Sequence, residues 1–396
     1  MRRSPLAVLS LFALGLFVAP VRAEDDDPTV NGKKVSEWMA KLREEESGRL
    51  RKVAVVNLGQ AAAENAFSTK LVKDIVTAVS KGMRNDTAVG VRAEAARTLA
   101  RLASDLMKDR NADVGSVVVD LAEGLRGEKE ADVRYEQALA LQRFGEKAKT
   151  AVDSLAAALG DADPRVKAAA ATAIGRIGKE AKRAVDDLLP LVKSDNGEVR
   201  KAAVFAIGRV EPDDIAKASE AIARFTTDPD EQTRKEAISS LCLLKDRTPE
   251  TVKAVAGALT DKSVEVRRVA AAGLAKFERG AKEAEAELLA AFRKADEDKL
   301  VKAYALHSLC VGAKDDPSKI LPELTARLDV AVEKDADVRI AICDEIGDMG
   351  PDAQSAVPAL RLAQKAPEDA VRKAATFAIK KVTAKKEDKA EEKKDK

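Results

Sequence analysis

The sequence predicts an all-α protein whose helices form a solenoid of about ten pairs. The first supporting observation is an internal repeat, whose successive copies lie 33 to 42 residues apart. The second is the spacing of apolar residues inside each copy, which is typical of one face of an α-helix. The third is an aromatic content of only 3%, since closely stacked helices need small interior side chains. Repeats of this length mark arrays in which each unit contacts only its neighbours.

A basic residue, usually preceded by valine, anchors every copy of the repeat. The ten anchors are Arg51, Arg92, Arg134, Lys167, Arg200, Arg234, Arg267, Lys302, Arg339 and Arg372. An alanine stands three residues after the anchor in eight of the ten copies, and leucine or isoleucine stands seven residues after it in all ten. Because only 69 of the 396 residues are Lys or Arg, a basic residue at all ten positions does not arise by chance.

Each unit contains two predicted helices, which we name A and B in chain order. The anchor lies in helix B, where the apolar residues one before and three, four and seven after it form one face. Aspartate, asparagine or proline precedes most B helices, as at Asp163 and Pro164, and supplies the N-cap. Helix A lies upstream and carries its own apolar series, for example Val152 and Leu155. A Gly-x-x-Ala segment, such as the one at Gly178, ends one unit and leads into the next.

The string Val-Arg-Lys-Ala-Ala-Val-Phe-Ala-Ile-Gly at 199–208 and its counterparts resemble the HEAT-repeat family. They are most similar to its short bacterial form, the phycobilisome-lyase-type HEAT-like repeat. The resemblance extends from about Val35 to Val382, and the segment around Trp38 resembles the lead-in of exported bacterial HEAT-repeat proteins. We expect Trp38 to cap the first unit. The resemblance implies that the B helices line a concave side, where residues one, five and eight after the anchors form the contact surface.

Residues 1–23 have the three parts of a secretory signal peptide. Arg2 and Arg3 give a positive start, an apolar run follows, and the expected cleavage site lies between Ala23 and Glu24. The apolar run is too short to span a membrane, and the alternative is an uncut N-terminal anchor. We therefore expect an exported protein, periplasmic or extracellular, with no membrane span once the signal is removed.

Three segments make up the rest of the chain. We expect residues 24–33 to form an acidic linker, residues 34–383 the HEAT-like solenoid, and residues 384–396 a disordered charged tail, because the tail has no apolar face to bury. Two repeat steps near the N-terminus are 41 and 42 residues long. We expect the extra residues to lengthen the helices, in preference to the alternative that they form binding loops. Pro190 should kink its A helix.

Residue types that carry catalysis or bind metals are scarce in this chain. His307 is the only histidine, and its column accepts every chemical type in the other units, so we expect it to have no catalytic task. Cys242, Cys310 and Cys343 occupy columns of small or apolar residues and should be buried, and a disulfide between units is not favoured. We therefore assign no catalytic, cofactor-binding or metal-binding residue and expect no cofactor.

The charge of the chain limits its classes of partner. The whole sequence carries a formal charge of +2, and removal of residues 1–23 takes away three arginines and leaves −1. A near-neutral surface argues against nucleic-acid binding, which needs a basic field. We expect a monomeric, non-catalytic scaffold of the cell envelope that binds protein partners. The alternatives are a lyase-like or chromophore-handling HEAT-repeat enzyme and a structural envelope component.

The anchors are expected to hold neighbouring units together. They recur beside a buried valine, and acids such as Asp195 and Asp230 lie near successive turns. This arrangement favours a ladder of charge-assisted hydrogen bonds between units.

Overall fold

The computed structural model describes residues 27–64, 69–109 and 112–384. The predicted signal peptide with its cleavage site between Ala23 and Glu24 lies outside these ranges, as does nearly all of the predicted charged tail. Within them, twenty α-helices follow one another as ten A–B pairs, so the predicted all-α solenoid is confirmed. No helix in the described ranges is both long and apolar enough to cross a membrane.

The A helices carry odd numbers here and the B helices even numbers. The A helices are α1 (Val35–Glu44), α3 (Thr69–Asn85), α5 (Val114–Gly127), α7 (Val152–Ala158), α9 (Val185–Leu188), α11 (Ile215–Ala223), α13 (Pro249–Gly257), α15 (Glu285–Arg293), α17 (Leu321–Ala326) and α19 (Val357–Ala363). The B helices are α2 (Gly48–Glu64), α4 (Val89–Lys108), α6 (Ala131–Phe144), α8 (Pro164–Ile177), α10 (Gly197–Ile207), α12 (Glu231–Leu244), α14 (Val264–Lys276), α16 (Lys299–Gly312), α18 (Ala336–Met349) and α20 (Asp369–Thr383).

The extra length near the N-terminus lies in the helices themselves. Helices α3 and α4 contain 17 and 20 residues, whereas α8 contains 14 and its A-helix partner α7 contains 7. The prediction of longer helices is therefore confirmed.

Short 3₁₀ helices join several of these elements. They span Gly145–Ala151, Gly178–Ala184, Leu189–Lys193, Arg224–Thr227, Ala258–Thr260, Glu278–Ala284, Pro317–Lys319 and Gly350–Ala356. Three of them begin at a glycine with positive φ, such as Gly178 at 73°, in a region that residues with a Cβ disfavour. These are the Gly-x-x-Ala segments of the repeat. Pro190 interrupts its A helix, because α9 stops after four residues and the chain continues as the 3₁₀ helix that contains this proline.

A small β-hairpin precedes the first helix. Strand β1 (Thr29–Val30) pairs antiparallel with β2 (Lys33–Lys34), and Asn31 and Gly32 form the turn with φ of 49° and 80°. An Asn-Gly pair suits this turn because both positions need positive φ. The described part of the segment expected to be a linker is thus folded. It covers the end of the array, since Trp38 is buried and its Nε1 donates to the carbonyl oxygen of Val30 at 2.8 Å.

Each B helix stacks on the B helix of the next unit, and this stacking is closer than that of successive A helices. Small residues allow the close approach. Ala203, three residues after its anchor, is fully buried. A Cβ on Gly175 would lie 2.6 Å from Cε1 of Phe205 and 2.9 Å from Cα of Ala206, so the backbones of α8 and α10 nearly touch. An array that is more tightly stacked on one side curves toward that side.

Candidate interaction surface

The ten anchors lie in the first turns of the B helices. Eight of them contact a carboxylate in the turn between the A and B helices of the following unit. These pairs are Arg51–Asp86, Arg92–Glu128, Arg134–Asp161, Arg200–Asp228, Arg234–Asp261, Arg267–Glu297, Lys302–Glu333 and Arg339–Glu368. Lys167 shows no such bond within the described residues. Arg372 belongs to the last unit, and its Nη1 donates to the carbonyl oxygens of Ala366 and Pro367.

Arg234 shows how one anchor joins two units. Its Nε and Nη2 donate to the two carboxylate oxygens of Asp261 at 2.7 and 3.0 Å, and its Nη1 donates to the carbonyl oxygens of Asp228 and Pro229. The residue is only 4% exposed. Burial acts to raise the pKa of Asp261, but hydrogen bonds from Arg234 and from the N–H of Ser263 lower it more, and the pKa lies below the ordinary 3.8. The pair is therefore charged and largely buried.

Two acids that were expected in this ladder have other roles. The backbone carbonyl of Asp195 accepts from Nη1 of Arg200 at 3.0 Å. The side chain of Asp230 caps α12 by accepting from the N–H of Thr233 at 2.7 Å. The paired acids lie instead 27 to 36 residues after their anchors. That offset depends on the length of the intervening A helix, so the two acids named from the sequence were wrong.

Side chains of successive B helices form one continuous surface, the B face. We define it as the residues two before and one, two, five and nine after each anchor. Between α6, α8 and α10 the B face contains a groove of about 350 Å³, lined in part by Tyr135, Leu139, Thr172, Lys201 and Phe205. These five residues belong to the columns one and five after the anchor, which the sequence indicated as contact surface.

Two aromatic rings of the groove are each approached by a guanidinium group. Cζ of Arg165 lies 5.5 Å from the ring centroid of Tyr135, and Cζ of Arg209 lies 3.8 Å from that of Phe205. Nη1 of Arg209 also donates to Oε1 of Glu236, across to the next unit, at 2.7 Å. The groove thus places aromatic surface beside cations and carboxylates, the combination that suits protein recognition.

The third expected column, eight residues after the anchor, is buried in half of the units and is not part of this surface there. Its glycines at Gly59, Gly175, Gly208 and Gly347 are buried. They lie between stacked B helices, where a side chain would meet the neighbouring helix. The prediction is therefore wrong for these units, because close helix packing uses the column.

The column nine residues after the anchor was missed. It carries arginine in four consecutive units, Arg101, Arg143, Arg176 and Arg209, all of them exposed or half-exposed. The run of one residue type in a single column was the signal that could have identified it.

His307 and the cysteines occupy ordinary places in the B helices. The side chain of His307 is 51% exposed, and its Nδ1 lies 2.8 Å from Oε1 of Glu345 in the next unit. Cys310 and Cys343 are buried as expected, whereas Cys242 is half-buried, and all three are free thiols. Burial raises the pKa of Cys242 to about 11 and that of Cys343 to about 12, so neither is a thiolate at neutral pH. No group of three or more His, Cys, Asp or Glu in the described ranges could hold a metal ion.

Comparison with known protein families gives a match over most of this array. A family model described as HEAT repeats matches residues 118–208, 218–310 and 285–380, which together exceed half of the chain. No curated protein sequence is significantly similar to the chain.

Several solved structures are similar to this chain. The crystal structure of an engineered protein from the Northeast Structural Genomics Consortium is similar over 88% of this chain and 99% of its own, with a TM-score of 0.60 and 22% identity. The complex of CpcE and CpcF of phycocyanin lyase from Nostoc sp. PCC7120 covers 59% of this chain and 86% of its own, with a TM-score of 0.39 and 20% identity. A designed armadillo repeat protein in complex with the peptide (KR)4 covers 54% and 100%, with a TM-score of 0.43 and 19% identity. The similarity to the engineered protein shows that it and this chain share a fold.

Proposed function

The chain belongs to the HEAT-repeat family, and from this premise we propose that it is a non-catalytic scaffold that binds another protein along its B face. The observation that carries the proposal is the groove between α6, α8 and α10, which is lined by the half-buried rings of Tyr135 and Phe205 beside charged side chains. Solenoids offer extended surfaces of this kind, and binding on them is distributed over several units.

We also propose where and in what form the scaffold works. The N-terminal pattern of residues 1–23 supports export to the periplasm or the cell exterior, and so a role at the cell envelope. We propose that the mature protein acts as a monomer.

Crosslinking tests the proposed binding. The mature chain would be incubated with an envelope fraction of its own cell, crosslinked, and its partners identified by mass spectrometry. We expect Tyr135→Ala to reduce capture of a specific partner, since an aromatic side chain in a groove is a typical hot spot. His307→Ala changes a residue of the B face that lies outside the groove, on α16, and this control should leave capture unchanged.

Two results would contradict the proposal. One is a bound chromophore in the purified protein together with an activity that His307→Ala abolishes, which would favour an enzyme. The other is a specific partner that Tyr135→Ala still captures fully while substitutions on the A helices release it, which would assign binding to the opposite side of the array.

A further inference from the structure

The B face is more basic than the chain as a whole. Over the first seven units its columns contain twelve basic and six acidic residues, a net charge of +6, whereas the complete sequence carries only +2. The excess of positive charge is therefore concentrated on the face that we propose as the binding surface.

The six acids on this part of the B face are already paired with neighbouring cations. Glu94, Asp132, Glu136, Glu198, Glu236 and Glu265 each form an ion pair with a basic residue of the same face. In contrast, Arg143, Arg176 and Lys276 are exposed and have no carboxylate within ion-pair distance in the described part of the chain. These three cations keep their charge available for a ligand.

Two of the available cations, Arg143 and Arg176, lie on the helices that form the groove. Arg143 follows Tyr135 and Leu139 on α6, and Arg176 follows Thr172 on α8, so adjacent units each offer apolar surface and an unpaired guanidinium. Arginine binds carboxylates in a bidentate manner, which adds direction to the attraction.

We infer that the B face binds an extended, acidic polypeptide segment that places a large apolar side chain in the groove. This inference rests on the proposed function, because it names the chemistry of the partner at the same surface. Stacked helices lie about 8–10 Å apart, and an extended chain advances about 3.3 Å per residue. Acidic side chains about three residues apart therefore match the arginines of successive units.

A nucleic acid fits the same surface less well. Carboxylates such as Glu136 and Glu236 lie among the cations, and a continuous phosphate backbone would pass close to them. An acidic peptide with spaced charges avoids this repulsion.

Fluorescence anisotropy with three labelled 15-residue peptides tests the inference. The first has glutamate at every third position and one central phenylalanine among serine and glycine, the second has the same composition with its glutamates clustered at one end, and the third replaces each glutamate by lysine. A 15-nucleotide oligothymidine is the fourth probe. We expect the spaced acidic peptide to bind best, with affinity that falls as salt rises.

Charge-reversed variants locate the binding site. Arg143→Glu with Arg176→Glu should weaken binding of the spaced acidic peptide about tenfold or more. Arg126→Glu with Lys253→Glu is the matched control, because both residues are exposed on A helices and the change in charge is the same. Circular dichroism of both variants should retain the helical spectrum.

Each other outcome overturns the inference. An extended acidic segment would be excluded if the lysine peptide or the clustered peptide bound as tightly as the spaced acidic peptide, or if the oligonucleotide bound more tightly. Equal effects of the two double variants on binding would exclude the B face as the site. If crosslinking still captured a partner that Tyr135→Ala releases, the proposed function would stand and only its acidic chemistry would fall. If neither experiment showed binding at this face, both proposals would fail.

Discussion

Arg234 satisfies two kinds of acceptor at once, the carboxylate of Asp261 in the next unit and the backbone carbonyls of its own turn. A guanidinium can do this because its five N–H groups are fixed in a plane, whereas the single ammonium of lysine concentrates its donors at one point. Arginine at eight of the ten anchors is consistent with this geometric demand.

Loss of this guanidinium should lower the stability of the fold. Arg234→Ala leaves the largely buried carboxylate of Asp261 without its counter-ion, and we expect the free energy of unfolding to fall by about 3–5 kcal/mol. Urea denaturation followed by circular dichroism measures it. The control is Lys299→Ala, which removes an exposed pair between units with Asp337 and should cost about 0–1 kcal/mol. Equal losses would show that the ladder is no stronger than surface ion pairs.

The ladder should also make stability depend on pH. Burial acts to raise the pKa of the ladder acids. Hydrogen bonds from the anchors and from backbone N–H groups, together with the positive charge of the anchors, lower the pKa below the ordinary value in Asp86, Glu128, Asp161, Asp261 and Glu297. An acid with a lowered folded-state pKa stabilises the fold above its unfolded-state pKa, and this contribution is lost as pH falls through the folded-state value.

Thermal melts across acidic pH therefore have a defined expected shape. The melting temperature should be nearly constant above the ordinary carboxylate pKa values of 3.8 and 4.5 and should fall below them. Asp261→Asn should make the fall shallower, because one linked proton is removed. A melting temperature that rises on acidification would contradict the ladder as a source of stability.

At the scale of elements, the spacing of the B helices is set by residues without side chains. Gly175→Ala would place a methyl group against Phe205 and the backbone of Ala206. We expect a loss of about 1–3 kcal/mol from overpacking, against a gain of up to about 1 kcal/mol in helix propensity. Gly257→Ala is the control at the exposed end of α13, where nothing lies within 4 Å, and it should be neutral or slightly stabilising. Urea denaturation followed by circular dichroism compares the free energies of unfolding of these two variants.

At the scale of the whole molecule, the mature protein should begin at Glu24. The apolar run and the small residue at Ala23 are the features that signal peptidases require. The intact mass of the exported protein measures this directly. A mass that includes residues 1–23 would indicate an uncut anchor and would contradict release from the membrane.

The architecture of the molecule could be predicted because it depends on local periodicity. Each B helix carries the same apolar spacing around its anchor, and the ten pairs follow from it. The partners of the anchors could not be predicted, since the offset to Asp86 or Asp261 depends on how long each A helix is. The B-face groove was anticipated by column but not by shape, because the position of Phe205 is set by its packing against Gly175.

The ladder of anchors gives the array a direction. Each pair joins a cation of one unit to an anion of the next, never the reverse, in the eight pairs described above. A break between any two of these units would leave an unpaired cation at the end of one piece and an unpaired anion at the start of the other. Two such ends are complementary in charge and shape, so fragments of this protein would carry the means of rejoining head to tail.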